Sequence, residues 1–393
     1  MFRKNNASYL FILPWTLEAV GGINQVVENL ISHMKTDGKF NPMLMVMSWK
    51  DKKIRKENIK NFDHYFFRLE NPWTYHKNIF KFPLFLFRFV TAMRHLIKFI
   101  KKNNIKVINF HYCSLTALNI VFLKKLGRYK GKLILSFHGI DAVSVQKSCG
   151  VEKLLWEILI QSSDHIVTCS NFLKDYLISF DQRCQKKIVV VHNGIDVPAF
   201  ISNYDKIYPL DSGLNKQKII LNIGTIDKIK GQDLLILAFS KIVEDYQGLS
   251  LVLVGRPAKA LDKIKALITS LQLQDHVWLY EGLSHDKVAV LMKNAEIFVL
   301  PSRYEAFGIV ILEAGAFGVP VIASNVGGIR EIITHNQTGR LFEAEDINGL
   351  EKELRFLLKF PEQRKLLGKN LNAHVIKNFS WKTSYQKYLS FTL

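Results

Sequence analysis

The chain has 393 residues, of which 48% are apolar and 12% aromatic, while only 22% are charged. This composition excludes a mostly disordered chain and, at the usual domain size, suggests two domains with large cores. Lys and Arg total 54 against 34 Asp and Glu, a formal charge of +20. Such an excess predicts an anionic partner: phospholipid, nucleic acid or a phosphorylated ligand.

The charge is concentrated in the first half of the chain. Residues 1–200 hold 30 basic and 14 acidic side chains, a net +16, whereas residues 201–393 hold 24 and 20, a net +4. No acidic residue occurs between Glu70 and Asp141. We therefore expect the two halves to face different partners.

The start of the chain and its cysteines indicate a cytoplasmic protein. The first apolar run, residues 9–13, is too short for a signal peptide and is closed by Pro14, so it predicts a β-strand. No stretch approaches 18 uncharged apolar residues, so we expect no transmembrane helix. The four cysteines show no C-x-x-C pair and no metal spacing, which is typical of free thiols in a reducing compartment.

Short β-branched runs alternate with helical patterns along the whole chain. The runs lie at 9–13, 106–110, 133–137, 166–169 and 188–191, and then at 219–223, 251–254, 297–300 and 321–323. The helical patterns lie at 24–34, 84–101, 231–244, 261–271 and 309–317. Runs that are apolar on both faces suit parallel strands covered by helices. The pattern predicts an α/β protein of two doubly wound parallel-sheet domains, with the break between residues 198 and 218 and a ligand at the carboxyl ends of the strands.

Several familiar nucleotide and metal motifs do not occur in the sequence. There is no G-x-G, so the dinucleotide fingerprint is missing, and no G-x-x-x-x-G-K-[ST]. Neither H-E-x-x-H nor D-x-D occurs. We therefore expect no metal, and we expect Lys, Arg and helix N-termini to hold any bound phosphate.

The stretch from residue 300 to 323 carries the most chemical information. A buried strand ends at Leu300, and a helix is expected to begin near Gly308, where the missing side chain lets a ligand approach the backbone. Free amides at such a helix start bind anions. Glu305 precedes the helix and Glu313 lies inside it, so two carboxylates flank the predicted phosphate site and can accept hydrogen bonds from sugar hydroxyls.

This stretch resembles the E-x7-E signature of the retaining glycosyltransferases of family four, which have the GT-B fold of two Rossmann-like domains facing a cleft. The resemblance extends in order along nearly the whole chain. Its segments are Gly21-Gly22, residues 137–141, Ser170, residues 192–196, residues 224–231, residues 253–255, residues 300–323 and Gly327-Gly328 with Glu331. The resemblance implies an acceptor domain at 1–200, a donor domain at 201–375 and a last helix, about 376–393, that packs back on the first domain.

The resemblance also implies roles for individual residues. Glu305 matches the glutamate that contacts donor sugar hydroxyls, Glu313 the one that binds the nucleotide ribose, and Lys230 the lysine that holds the diphosphate. His138 matches a histidine near the donor sugar, and Gly22 the glycine that lets a loop approach the donor.

The remaining matches concern the donor phosphates. The amides of Phe307 and Gly308 match phosphate contacts, and Ile309 lies at the same helix start. Thr225 stands where the family usually has Arg, which removes one bidentate cation from the diphosphate. Arg256 or Lys228 is the candidate that compensates for it.

The implied reaction moves a sugar from a UDP- or GDP-sugar to a glycan or lipid-linked acceptor with retention, in cell-surface polysaccharide or lipopolysaccharide synthesis. No cofactor, metal or nucleic acid is expected. A sugar-nucleotide epimerase of the same fold, which needs no acceptor, and a non-catalytic basic membrane-binding protein remain alternatives. Glu305 and Glu313, each taken alone, are typical of solvated helix charges, and Lys230 alone is typical of an ordinary lysine at a helix start.

Residues 77–102 have two interpretations. The segment holds seven Lys or Arg, no acidic residue and many Phe and Leu. Phe85, Phe89, Leu96 and Phe99 are spaced as a core-facing helical stripe. A basic amphipathic helix on the inner face of the cytoplasmic membrane fits the same pattern.

Overall fold

The chain divides into two units, one of which contains both ends of the described chain. The first unit consists of the residues up to His192 together with those from Lys382 onward. The second unit is Asn193–Trp381. The computed structural model describes residues 7–18, 21–59, 61–71, 82–203, 212–214 and 217–392.

The first unit is built on a sheet of eight strands in the order β3-β4-β2-β1-β5-β6-β7-β8. The strands are β1 (Ser8–Leu13), β2 (Asn41–Met47), β3 (Arg55–Ile59), β4 (Phe62–Phe67), β5 (Ile105–His111), β6 (Lys132–Phe137), β7 (His165–Thr168) and β8 (Ile188–Val190). All pair in parallel except β3, which pairs antiparallel with β4 at the edge of the sheet. The expected parallel sheet thus carries one antiparallel strand, at its edge. Four of the five residues of β3 are exposed and three are charged, as suits an edge strand.

Helices connect the parallel strands of the first unit. They are α1 (Gly22–Asp37), α2 (Phe82–Lys102), α3 (Leu118–Lys125), α4 (Ile140–Gln146), α5 (Gly150–Ser162) and α6 (Asn171–Phe180). The strand order reverses at β1, which lies between β2 and β5. At such a switch point the loops at the carboxyl ends diverge and leave room for a ligand.

The second unit repeats this design with six parallel strands in the order β11-β10-β9-β12-β13-β14. The strands are β9 (Lys218–Ile223), β10 (Leu249–Val254), β11 (Val277–Tyr280), β12 (Ala295–Leu300), β13 (Val321–Ser324) and β14 (Arg340–Phe342). The helices are α7 (Val197–Asn203), α8 (Gln232–Ser240), α9 (Leu261–Ser270), α10 (His285–Lys293), α11 (Ile309–Ala316), α12 (Ile347–Lys359) and α13 (Pro361–Asn378). Here the order reverses at β9, between β10 and β12.

The apolar runs of the sequence form the central strands. Every residue of β1 and of β10 is buried, because helices cover both faces of each sheet. The predicted helix at 231–244 is too long: α8 ends at Ser240, and a short 3-10 turn (Val243–Asp245) follows. The sequence analysis did not identify β2, β3, β4, β11 or β14.

The second unit begins before the predicted boundary at residue 200. The Ile195 amide donates to the Phe379 carbonyl oxygen at 2.9 Å, and the Phe200 ring lies 5.6 Å from that of Phe317. Because these partners belong to the second unit, residues 193–200 belong to it as well. The expected break at 198–218 is corrected accordingly, and its residues 204–211 lie outside the described residues.

The end of the chain belongs to the first unit from Lys382 on, rather than from about residue 376. The last helix is α14 (Trp381–Ser390). Within the first unit, the Tyr385 hydroxyl donates to the Asp37 carboxylate at 2.8 Å, and the Ser384 hydroxyl donates to the His192 carbonyl oxygen at 2.6 Å. Residues 376–378 instead complete α13 in the second unit.

None of the helices in the described part of the chain has the length and apolar character needed to cross a membrane. The longest of them, α2, has 21 residues and carries five Lys or Arg side chains.

Two neighbouring glycines offer a test of the second unit. A Cβ at Gly255 would lie 1.9 Å from the Gly224 carbonyl oxygen, whereas a Cβ at Gly224 would meet only side-chain atoms at 3.6 Å or more. Gly255→Ala therefore forces the two strand ends apart, and we expect it to lower the free energy of unfolding by about 1–3 kcal/mol. Gly224→Ala is the matched control and should change it little. Equal denaturant midpoints for the two variants would contradict the close packing of Gly255 against the Gly224 carbonyl oxygen.

Candidate active site

The turn after β12 leads into α11, whose start is the predicted anion site. Gly308 caps the helix in a left-handed conformation with φ 98°, which glycine adopts without strain. A Cβ there would lie 3.2 Å from Ile311 Cδ1 and 3.5 Å from Glu305 Cγ. The Ile311 amide donates to the Gly308 carbonyl oxygen at 2.9 Å, whereas the two amides before it precede the regular hydrogen bonds of the helix, and the helix dipole makes this end positive. The predicted helix start is therefore placed as the motif implied.

Lys230 and Glu305 meet beside this helix start. The Lys230 ammonium lies 2.6 Å from Glu305 Oε2, and the Ser302 hydroxyl lies 3.5 Å from the same oxygen. The two side chains are 25% and 15% exposed, so both remain within reach of a ligand. The structure thus brings together two predicted residues that are 75 positions apart.

A glycine makes this meeting possible. Gly231 follows Lys230 with φ 68°, and a Cβ on it would lie 2.0 Å from the Pro301 carbonyl oxygen. The Arg303 amide donates to the Ile229 carbonyl oxygen at 2.8 Å. The turn after β9 and the turn after β12 are therefore in direct backbone contact, which only glycine permits at this position.

The side chain of Arg303 ties the same two turns together. Its guanidinium donates to both carboxylate oxygens of Asp233, at 2.7 and 2.8 Å, and to the Lys228 carbonyl oxygen at 2.6 Å. It also pairs with Glu345 at 2.5 Å. The hydrogen bonds to Asp233 raise the pKa of Arg303 further. The sequence analysis missed this brace, because no spacing connects an arginine after β12 with an aspartate on α8.

Gly328 supports the turn that carries Glu305. The Gly328 amide donates to the Glu305 carbonyl oxygen at 3.0 Å, and a Cβ on Gly328 would lie 2.2 Å from the Ala306 carbonyl oxygen. Phe307 is buried, with its ring 5.8 Å from that of Phe379 in an edge-to-face arrangement. Its side chain anchors the turn, so the predicted phosphate contact concerns its amide alone.

Thr225 and Arg256 lie on neighbouring turns at the carboxyl ends of β9 and β10. The Gly224 amide donates to the Val254 carbonyl oxygen at 2.9 Å, and the Ile226 amide donates to the Arg256 carbonyl oxygen at 3.0 Å. Arg256 is exposed and Thr225 is half-buried. The two turns run side by side, which places the Arg256 side chain on the turn next to the position where the family usually has its arginine.

Glu313 and Ile309 lie one turn apart on α11 and therefore share a face of the helix. Both are partly exposed. In the first unit, Gly22 is the exposed first residue of α1. It lies after β1, which is the switch point of that sheet.

His138 stands at the carboxyl end of β6, which is separated from β1 by β5 alone. Its Nε2 lies 3.0 Å from Nδ1 of the buried His111. Burial lowers the pKa of His138 to about 4 and holds the pKa of His111 well below its usual range, so both rings are neutral near pH 7. The sequence analysis did not identify His111, because a histidine within an apolar strand is typical of a core residue.

The turn that carries His138 is held by Asp141. Its carboxylate accepts from the amides of His138 at 3.0 Å, Gly139 at 2.8 Å and Cys113 at 3.2 Å. Burial raises the pKa of Asp141 to about 6, while these amide hydrogen bonds lower it. Asp141 therefore holds the turn together through the backbone.

The pKa of His138 predicts a stability change with pH. Its pKa is about 4 in the fold, below the ordinary 6.5, so between those values the unfolded chain takes up a proton that the fold does not. The contribution of neutral His138 to the free energy of unfolding is therefore fully present above pH 6.5 and is lost as the pH falls toward 4. His138→Asn should reduce this loss, measured as the unfolding temperature against pH. The exposed His276→Asn is the control, and parallel curves for His138→Asn and wild type would contradict the burial of His138.

Two family models match the chain. "Glycosyltransferase Family 4" matches residues 20–198, and "Glycosyl transferases group 1" matches residues 209–374. A curated relative, N-acetyl-alpha-D-glucosaminyl L-malate synthase from Bacillus anthracis, is 28% identical over 77% of this chain and 77% of its own length.

Two solved structures share the fold over almost all of both chains. A glycosyltransferase from Rickettsia africae has a TM-score of 0.78 at 22% identity, covering 99% of this chain and 98% of its own. An Anabaena protein, solved in complex with UDP-glucose, has a TM-score of 0.75 at 17% identity, covering 98% of each chain. The two family models together span nearly all of the sequence. The chain therefore belongs to the family-four glycosyltransferases and has their GT-B fold.

Proposed function

We propose that this glycosyltransferase moves a sugar from a UDP- or GDP-sugar to a glycan or lipid-linked acceptor, with retention at the anomeric carbon. The observation that carries the proposal is the Lys230–Glu305 pair beside the free amides of α11. A cation and a helix start suit a diphosphate, and a carboxylate suits sugar hydroxyls. The Anabaena structure with UDP-glucose supports a nucleotide sugar as the donor.

The reaction breaks the bond between the anomeric carbon and the phosphate oxygen. The electron pair of that bond leaves with the diphosphate, so negative charge develops there while the sugar becomes oxocarbenium-like. Lys230 and the amides of Gly308 and Ile309 stabilise that charge. The acceptor hydroxyl attacks from the side that the diphosphate leaves, and its proton passes to the departing phosphate oxygen, which gives retention.

The ion pair gives Lys230 and Glu305 a role before the donor arrives. Each neutralises the other at 2.6 Å, so neither buries an unpaired charge. A diphosphate competes for Lys230 and frees the Glu305 carboxylate to accept from sugar hydroxyls. Arg256 contributes the cation that Thr225 cannot supply. Charge neutralisation by these residues requires no metal.

The nucleotide contact is testable by thermal unfolding with UDP, GDP, ADP, CMP and their sugars, without added metal. We expect a uridine or guanosine diphosphate to raise the unfolding temperature. At a nucleotide concentration of a hundred times Kd, binding adds about 2.7 kcal/mol to the free energy of unfolding. Glu313→Ala removes hydrogen bonds to the ribose and should weaken binding about tenfold.

The control for this experiment is Glu362→Ala, which removes an 83% exposed carboxylate of the same unit and should leave the shift unchanged. No shift with any nucleotide, or equal shifts in both variants, would contradict the donor site. Conversion of the donor sugar with no acceptor present would instead indicate an epimerase.

We further propose that the first unit contacts an anionic membrane through α2 and α3. This contact fits a lipid-linked acceptor at the inner face of the cytoplasmic membrane. Such an acceptor belongs to cell-surface polysaccharide or lipopolysaccharide synthesis. One face of α2 is core, with Leu96 and Phe99 buried, while Phe87 is 71% exposed and Leu86 50%. The Phe89 ring lies 5.0 Å from that of Phe122 on α3.

The predicted stripe is therefore only partly core. Leu96 and Phe99 are buried, but Phe85 and Phe89 are only half-buried. Residues 77–81 of the predicted membrane segment lie outside the described residues. The exposed apolar side chains share their helix with five Lys or Arg and no acidic residue, a combination that favours an anionic lipid surface.

Sedimentation with vesicles tests this contact. Replacing Leu86 and Phe87 by Ser removes exposed apolar area and should weaken binding to phosphatidylglycerol-containing vesicles about tenfold or more, with less effect on neutral vesicles. Leu366→Ser, at a leucine of the second unit that is 49% exposed, is the matched control. Unchanged binding of the double variant would exclude α2 as the contact.

A further inference from the structure

A series of hydrogen-bonded side chains crosses the interior of the first unit and ends at His138. The Tyr388 hydroxyl on α14 lies 3.3 Å from Ser136 Oγ, which lies 2.9 Å from Asn109 Oδ1. Asn109 Nδ2 lies 3.0 Å from His111 Nε2, and His111 Nδ1 lies 3.0 Å from His138 Nε2. Ser136, Asn109 and His111 are completely buried, so each must satisfy its polar atoms within this series.

The amide of Asn109 sets the direction of donation. One Nδ2 hydrogen goes to the Tyr9 hydroxyl at 2.9 Å and the other to His111 Nε2. The remaining Asn109 atom, Oδ1, accepts the only hydroxyl hydrogen of Ser136. Since Ser136 has then no hydrogen left, Tyr388 donates to Ser136. Every hydrogen bond of the series therefore points toward His138.

The direction decides which ring nitrogen of each histidine carries the proton. His111 Nε2 accepts from Asn109, so neutral His111 carries its proton on Nδ1 and donates it to His138 Nε2. His138 Nε2 is an acceptor in that hydrogen bond, so neutral His138 also carries its proton on Nδ1. His138 is only partly exposed, and its Nδ1 makes no hydrogen bond within the described part of the chain.

We propose that Asn109 and His111 are positioning residues that fix His138 in the neutral tautomer with its proton on Nδ1. His138 then presents a hydrogen-bond donor, not a base, to an oxygen atom of the substrate. This inference rests on the proposed function only for the chemical class of that oxygen, a sugar hydroxyl. The tautomer itself is a property of the unliganded protein. Burial, which keeps both rings neutral, agrees with it.

The wild-type protein provides the first test. Long-range 1H–15N spectra of histidine-labelled protein distinguish protonated from unprotonated ring nitrogens, and the signals of His111 and His138 are assigned by their loss in His111→Gln and His138→Gln. We expect both rings to show a protonated Nδ1 and an unprotonated Nε2. A protonated Nε2 on His138 would mean that the series runs in the opposite direction, and would overturn the inference.

Asn109→Asp tests whether Asn109 determines the tautomer of His138. A carboxylate of the same shape only accepts, so His111 must carry a proton on Nε2, and at a pH where its ring stays neutral it accepts at Nδ1. The proton of His138 should then move to Nε2. Tyr388→Phe is the matched control, because Ser136 keeps its own hydrogen for Asn109 and both tautomers should stay unchanged. Asn109 does not set the tautomer if His111 in Asn109→Asp keeps an unprotonated Nε2, or if His111 is neutral with its proton on Nε2 while the proton of His138 stays on Nδ1. The wild-type spectrum decides the tautomer even if Asn109→Asp does not fold.

Kinetics separate this inference from the proposed function. With an active donor and acceptor pair, Asn109→Asp should lower kcat about tenfold with little change in KM, whereas Tyr388→Phe should lower neither. A structural defect would lower the active fraction and the unfolding temperature together without moving the histidine proton. If no sugar is transferred at all, the proposed function fails while the spectra still decide the tautomer.

Discussion

The candidate site depends on the close approach of two turns of the second unit, the one after β9 and the one after β12. That approach is possible because Gly231 carries no Cβ against the Pro301 carbonyl oxygen. It brings the Lys230 ammonium within 2.6 Å of the Glu305 carboxylate. Opposite charges that lie so close and partly shielded from water attract each other more strongly than a fully exposed pair would. Under the proposed function, a phosphate that displaces the carboxylate meets a cation already in position.

Arg303 gives this arrangement its stiffness. A bidentate pair with Asp233 on α8 and a hydrogen bond to the Lys228 carbonyl oxygen connect it to the turn that carries Lys230, while its own backbone leads to Glu305. A planar guanidinium fixes distance and angle together, which a lysine cannot do. Charges held in place before the substrate binds need little reorganisation during the reaction, and this is the largest contribution that such a site makes.

In the first unit neutral groups hold the candidate residue His138, whereas in the second unit charged groups hold the candidate residues Lys230 and Glu305. The hydrogen-bonded series from Tyr388 to His138 is buried, and burying polar atoms is costly unless each has a partner. The cost is offset because the donors and acceptors of Ser136, Asn109 and His111 match one another. Tyr388 comes from α14, so the end of the chain contributes to the interior that supports a candidate active-site residue.

The sequence by itself determined the two parallel-sheet units, most central strands and the helix start at Gly308, because apolar runs and glycine-marked turns are local signals. It also placed the candidate residues at strand ends through an ordered set of motifs. Only the tertiary structure decided that Lys230 meets Glu305, that Arg303 braces Asp233 and that Asn109 orients His111. It also decided that residues 193–200 belong to the second unit. These contacts join positions far apart in the sequence, and their geometry depends on how whole elements pack, which no local pattern records.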